Sequence, residues 1–193
     1  MFSTTGNTEA TKTTSWKVVL PFYGYAAIAF LIATILLLFS ASDITSHYFL
    51  PHTLAIIHIM ALGWGTMMIL GASHQLVPVL IEGKLYSNKL AYASFTFAAI
   101  GIPLLVNGFY VFNMGLHTQC GGILIILSVI AYLINLAASM VKSKQENVHA
   151  FFIFTAALWL LATAIVGLLL LYNFTEPLLP KGSLNYLPVH AHI

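Results

Sequence analysis

Between Pro51 and Pro78 the chain reads PHTLAIIHIMALGWGTMMILGASHQLVP, an almost continuous apolar run that also carries His52, His58 and His74. A hydrocarbon core of ~30 Å is crossed by about 20 mostly apolar residues in a helix. Within it every backbone polar group must be paired internally. An imidazole in such a run is costly, and therefore rare and usually functional. The run is a membrane helix that bears a candidate site.

Four further stretches have the same character, and 60% hydrophobic against 6% charged residues excludes an ordinary soluble domain. The expected fold is all-α: a polytopic transmembrane helix bundle with five spanning helices and the start of a truncated sixth. The spans fall at about Trp16 to Phe39, Pro51 to Ile81, Leu90 to Phe112, Cys120 to Val141 and Val148 to Tyr172. Residues 1–15 form a polar, disordered cytoplasmic tail, 16–173 the bundle, and 174–193 an outer loop leading into the sixth helix. The tail lacks the compact basic region and short apolar core of a cleaved signal peptide.

The seven basic residues are all lysines. Lys12 and Lys17 precede the first span, Lys84 and Lys89 separate the second from the third, and Lys142 and Lys144 the fourth from the fifth. Only Lys181 falls on the other side. The positive-inside rule makes the N-terminus cytoplasmic, so the second span runs from outside to inside, with His58 in its outer half. The net charge of +2 comes from these flanking lysines and implies no nucleic-acid partner; the lipid bilayer is the surrounding medium. Cys120 is alone and reads as apolar filler, with no zinc pattern around it.

On an ideal helix Ala61, Gly65 and Ala72 follow His58 on one face. A histidine leading small residues leaves room for something close and flat, either a neighbouring helix or a porphyrin plane. His52 points about 120° away, roughly 9 Å nearer the helix start, as an interfacial residue at the outer end. His74 faces nearly opposite His58 and reads as a hydrogen-bonded residue near the helix end. Trp64 and Trp159 lie mid-membrane, where packing is their default role. Pro103 should kink the third span, Asn135 should act as interhelical hydrogen-bonding glue, and His117 falls in a short loop. His149 reads as an exposed helix start.

The segment GASHQLVP, Gly71 to Pro78, resembles the end of the second transmembrane helix in catalytic subunits of the haem–copper oxidase and nitric oxide reductase superfamily. There a similar segment follows a low-spin haem ligand, and His58 falls within one residue of that spacing. Ser46 to Leu80 is more similar still to bacterial membrane proteins described as oxidase subunit I-like. The end of the chain, LNYLPVHAHI, echoes the second span: a proline opens an apolar run, and His190 and His192 follow at the outer face. The resemblance implies an N-terminal part of a longer protein whose second half repeats the design.

The resemblance further implies haem of unknown type bound through His58, with Ala61 and Gly65 beside it, and His190 and His192 as metal ligands. It implies copper only with the missing C-terminal half, respiratory subunits or a cytochrome electron donor as partners, and the bacterial inner membrane as location. No histidine here has Tyr four residues later, no His–His pair is present, and there is no arginine for haem propionates. The chain alone is therefore not expected to reduce oxygen or nitric oxide. It is expected to carry electrons as part of a cytochrome c oxidase or nitric oxide reductase-like oxidoreductase. The alternatives are a non-enzymatic haem- or copper-binding module, for sensing, anchoring or metal handling, and a structural or transport bundle without cofactor.

Overall fold

The computed structural model describes residues 14–143 and 148–193. Of the expected polar tail only Thr14 and Ser15 are included; Lys12, Lys144 and Glu146 lie outside the described residues. The described residues are helical with short connections. They form α1 (Trp16–Phe39), α2 (Ala41–Ser46), α3 (Pro51–His58), a π-helical segment (Ile59–Thr66), α4 (Met67–Leu80), α5 (Asn88–Tyr110), α6 (Leu116–Lys142), α7 (Val148–Tyr172) and α8 (Leu187–His192). α3, the π segment and α4 run on as one span, Pro51–Leu80, and with α1, α5, α6 and α7 make five helices long and apolar enough to cross a membrane. The chain is a multi-pass membrane protein by this measure. α8, where a sixth span was expected to start, has six residues.

Each start follows from local chemistry. Ser15 caps α1 by accepting from the Lys17 amide, and Ser87 caps α5 by accepting from that of Leu90. Proline stands in the first turn of α3 and again in that of α8, where its missing N–H costs no hydrogen bond. α6 begins at Leu116, earlier than its hydropathy indicates, because polar side chains in its first turn find partners. Gln119 Nε2 donates to the Met114 carbonyl (3.1 Å) and Thr175 Oγ1 (2.9 Å). His117 is therefore helical and exposed rather than in a loop.

α5 and α6 form the tightest pair. Gly101 and Gly121 face one another, and a Cβ built at either would lie 2.8 Å from the other's carbonyl oxygen. Such close approach replaces the hydrophobic drive that lipid does not supply. Polar ties continue the seam: Ser128 Oγ donates to the Ser94 carbonyl (2.7 Å). Fully buried Asn135 accepts from the Ser87 amide (2.9 Å) and donates to its carbonyl (3.0 Å). Asn135 thus joins α6 to the cap of α5 as interhelical hydrogen-bonding glue. Asn135→Ala strands both Ser87 groups and is expected to cost about 1–3 kcal/mol in a detergent unfolding titration; an unchanged midpoint would show that this tie contributes nothing.

α1 lies along the second span. Its Phe22, Ala26, Ala29 and Ala33 are buried at helical spacing. Gly63 and Gly71 make room for them, since a Cβ at Gly63 would come within 2.8 Å of Ala29 Cβ and one at Gly71 within 2.9 Å of Phe22 Cβ. Trp64 and Trp159 are exposed at the bundle surface, Trp64 against Phe30 at 5.3 Å. Both therefore face the surroundings of the bundle instead of packing in its core. Pro103 is accommodated within a continuous α5. α7 is the most peripheral span, with Ala150, Ala157, Leu170 and Leu171 its only buried residues.

Lys17, Lys84, Lys89 and Lys142 lie at or beyond the same ends of the antiparallel spans. At this lysine end Lys142 Nζ sits 4.4 Å from the centre of the Tyr86 ring and Ser143 Oγ donates to the Ile81 carbonyl (2.7 Å). The opposite, far end carries α2, α8 and the loop after α7.

Candidate functional site: a pair of imidazoles near the far end

His58 closes α3, about 10 Å along the helix from Pro51. Its Nδ1 lies 2.8 Å from the carbonyl oxygen of Leu54, one turn earlier. A carbonyl can only accept, so Nδ1 carries the proton and Nε2 of the neutral ring keeps its lone pair. The ring is half-buried and packs on Phe109 of α5, centroid to centroid 4.4 Å. On its other side lies His190 of α8, with ring centroids 6.4 Å apart and planes inclined by 13°.

His190 reaches that place because the segment after α7 folds back. Asn173, next to the end of α7, donates to the Lys181 carbonyl (3.1 Å) and Ser183 Oγ (3.1 Å), and accepts from the Leu179 amide (2.7 Å). Ser183 Oγ donates in turn to the Leu170 carbonyl (2.9 Å). These ties lay α8 back against α7, where the His190 ring meets Gly167. Burial pushes the His190 pKa down, against a smaller upward pull from the Thr163 carbonyl. The Nδ1 of His190 is buried without a hydrogen-bond partner. His58 and His190 together bring two imidazoles side by side, the first with its ring orientation fixed by the Leu54 carbonyl and the second with Nδ1 unpartnered.

A second aromatic group stands at the same end of the bundle. Phe49, before α3, stacks on Phe174, after α7, at 5.7 Å and 13°, and meets Phe112 edge-on at 6.1 Å. Phe112 stands in the left-handed region (φ 53°) where α5 stops, and the Asn113 amide closes that turn on the Gly108 carbonyl (2.8 Å). Outside this group, His52 Nδ1 pairs with Asp43 Oδ2 (2.6 Å) and ties α2 to the start of α3.

The remaining candidates are placed otherwise. His192 is exposed, with Nδ1 on the Pro188 carbonyl (2.7 Å). Ala61 is exposed and Gly65 half-buried, and a Cβ at Gly65 would meet only the Met60 carbonyl, at 3.5 Å. The π segment begins immediately after His58. Its i→i+5 bonding offsets everything beyond it from the ideal-helix face, so the small residues in close helix contact are Gly63 and Gly71. Thr66 Oγ1 takes up the Ala61 carbonyl, five residues back (2.9 Å).

His74 is hydrogen-bonded within the last two turns of the second span, but it is not exposed there. It is fully buried near the lysine end, between the rings of Phe22 and Tyr132, each 5.2 Å away. Nδ1 donates to the Leu70 carbonyl (2.7 Å), and Nε2 has no partner. Ser73 and Tyr132 are hydrogen-bonded beside it, and the crevice they line with Asn135 leaves no room for a water molecule. Its burial could not be read from the second span alone, because it depends on α1 and α6 closing over that face.

Among the described residues no group of three or more His, Cys, Asp or Glu is placed to hold a metal ion. No protein-family model matches the chain, and comparison with curated proteins and with solved structures gives no significant match.

Proposed function

We propose that this multi-pass membrane protein binds haem, with His58 as one axial ligand and His190 as the opposing imidazole. The observation that carries the reading is the facing pair itself, two neutral rings 6.4 Å apart and inclined by 13°. The number of donors decides between metals. A bare zinc or copper ion takes three or four protein ligands, whereas the iron of a porphyrin needs two from the protein and commonly takes histidine. Two imidazoles without a third donor therefore fit haem better than a free ion. Haem, when bound, supplies a one-electron iron couple.

The chain's own contribution is to hold the rings. The Leu54 carbonyl orients the His58 ring, Phe109 backs it, and Gly167 leaves space for the His190 ring. Were both imidazoles to hold the iron, the group would serve electron transfer rather than substrate binding. This agrees with the finer reading from the sequence resemblance: a respiratory, oxidase subunit I-like chain of the bacterial inner membrane that exchanges electrons with a cytochrome or neighbouring subunits. The lysine end is then cytoplasmic, and His58 and His190 lie toward the outer face.

The test is the visible absorption spectrum of the protein purified from haem-replete cells. A Soret band with the sharp reduced bands of low-spin haem is the expected result. A colourless protein that also fails to take up added haemin overturns the proposal and favours a cofactor-free bundle.

A further inference from the structure

We propose that Gly167 is a positioning residue for this site: its missing side chain is the seat that lets the His190 ring lie on α7 and face His58. The inference rests on the haem reading above. A Cβ built at Gly167 would fall 2.8 Å from His190 Cε1, 3.4 Å from Nε2 and 3.5 Å from Nδ1. The edge of the ring that carries both nitrogens therefore rests on this one glycine, and no other residue type leaves the space.

The obstruction that alanine would create involves a side chain with two rotatable bonds, not backbone. The segment that leads into α8 stays tied to the end of α7 through Asn173 and Ser183, so the imidazole is what yields. Gly167→Ala is thus expected to leave the fold in place and turn His190 away from His58. Gly24 supplies the control, since a Cβ there meets nothing within 4 Å.

The haem-loaded full chain is compared as wild type, Gly167→Ala, His190→Ala and Gly24→Ala. Wild type and Gly24→Ala are expected to be six-coordinate, low-spin and slow to bind carbon monoxide when reduced. Gly167→Ala and His190→Ala should both keep haem on His58, become high-spin and bind carbon monoxide rapidly, and the double variant should add nothing further. Wild-type electron paramagnetic resonance gives a measurement that needs no variant: near-parallel imidazole planes predict a rhombic low-spin signal, and perpendicular planes the strongly anisotropic one. A low-spin spectrum that survives in Gly167→Ala, or a wild-type signal of perpendicular planes, overturns this inference while leaving the haem reading standing. Loss of haem in Gly167→Ala but not in His190→Ala also overturns it, because the glycine would then act on the fold. A wild type without a Soret band overturns the haem reading and this inference together.

Discussion

His58→Ala is expected to remove the Soret band from the purified protein while leaving the yield of folded, detergent-extracted protein close to wild type. The imidazole makes its one direct hydrogen bond to Leu54 on its own helix, so its loss breaks no tie between spans. What the bundle loses is the contact with Phe109 at 4.4 Å, on a ring that is only half-buried. The effect on haem is far larger. Removing an outer-shell partner of a metal ligand costs about 10–100-fold in affinity, and removal of the ligand itself should exceed that. His52→Ala is the matched comparison, a second histidine at the same end, paired with Asp43 at 2.6 Å. That pair is more than a third exposed and contributes ~0–1 kcal/mol at most, so its loss should leave the band intact. A band that persists in His58→Ala, or that disappears equally in His52→Ala, would remove His58 from the site.

The spans were legible because a bilayer asks for one simple property over a fixed length. Trp16–Phe39 and Val148–Tyr172 are bounded by the same residues in sequence and structure. Hydropathy alone starts α6 too late, because Thr118 and Gln119 resemble loop residues, yet their side chains donate to Asn113, Met114 and Thr175. The face of the second span was harder. Helical phase computed at one fixed angle fails wherever a π segment intervenes, and nothing in IMALGWGT announces one. Gly63 and Gly71, not Gly65, consequently carry the contact with α1. The echo between Leu50–Ile59 and Leu187–Ile193 made His190 a candidate, but its distance from His58 depends on Asn173 and Ser183 folding the chain back. The burial of His74 likewise depends on neighbours that the second span does not contain.

Gly121→Leu is expected to prevent α5 and α6 from docking, seen as aggregation on detergent extraction and loss of a cooperative unfolding transition. A Cβ at Gly121 would lie 2.7 Å from the Leu105 nitrogen and 2.8 Å from the Gly101 oxygen. Both are backbone atoms of a continuous helix, so the obstruction is relieved only by moving the helices apart. Separation also stretches what the close approach permits: the Ser128 bond to Ser94 at 2.7 Å and the Ser87 bonds to Asn135 at 2.9 and 3.0 Å. A bilayer interior offers those groups no water in exchange, so steric and polar losses fall together. Gly121→Ala grades the effect; overpacking by a single carbon typically costs about 1–3 kcal/mol. Gly24→Ala again provides the opposite sign: with open space around it, replacing helical glycine is neutral or stabilises by roughly 0.5–1 kcal/mol. Equal midpoints for Gly121→Ala and Gly24→Ala would show that the Gly101–Gly121 crossing does not hold the bundle together. Because Phe109, near the end of α5, packs on His58, the same crossing sets one wall of the imidazole site. Haem retention should therefore fall with stability across the Gly121 series, whereas in Gly167→Ala the coordination changes and the stability does not.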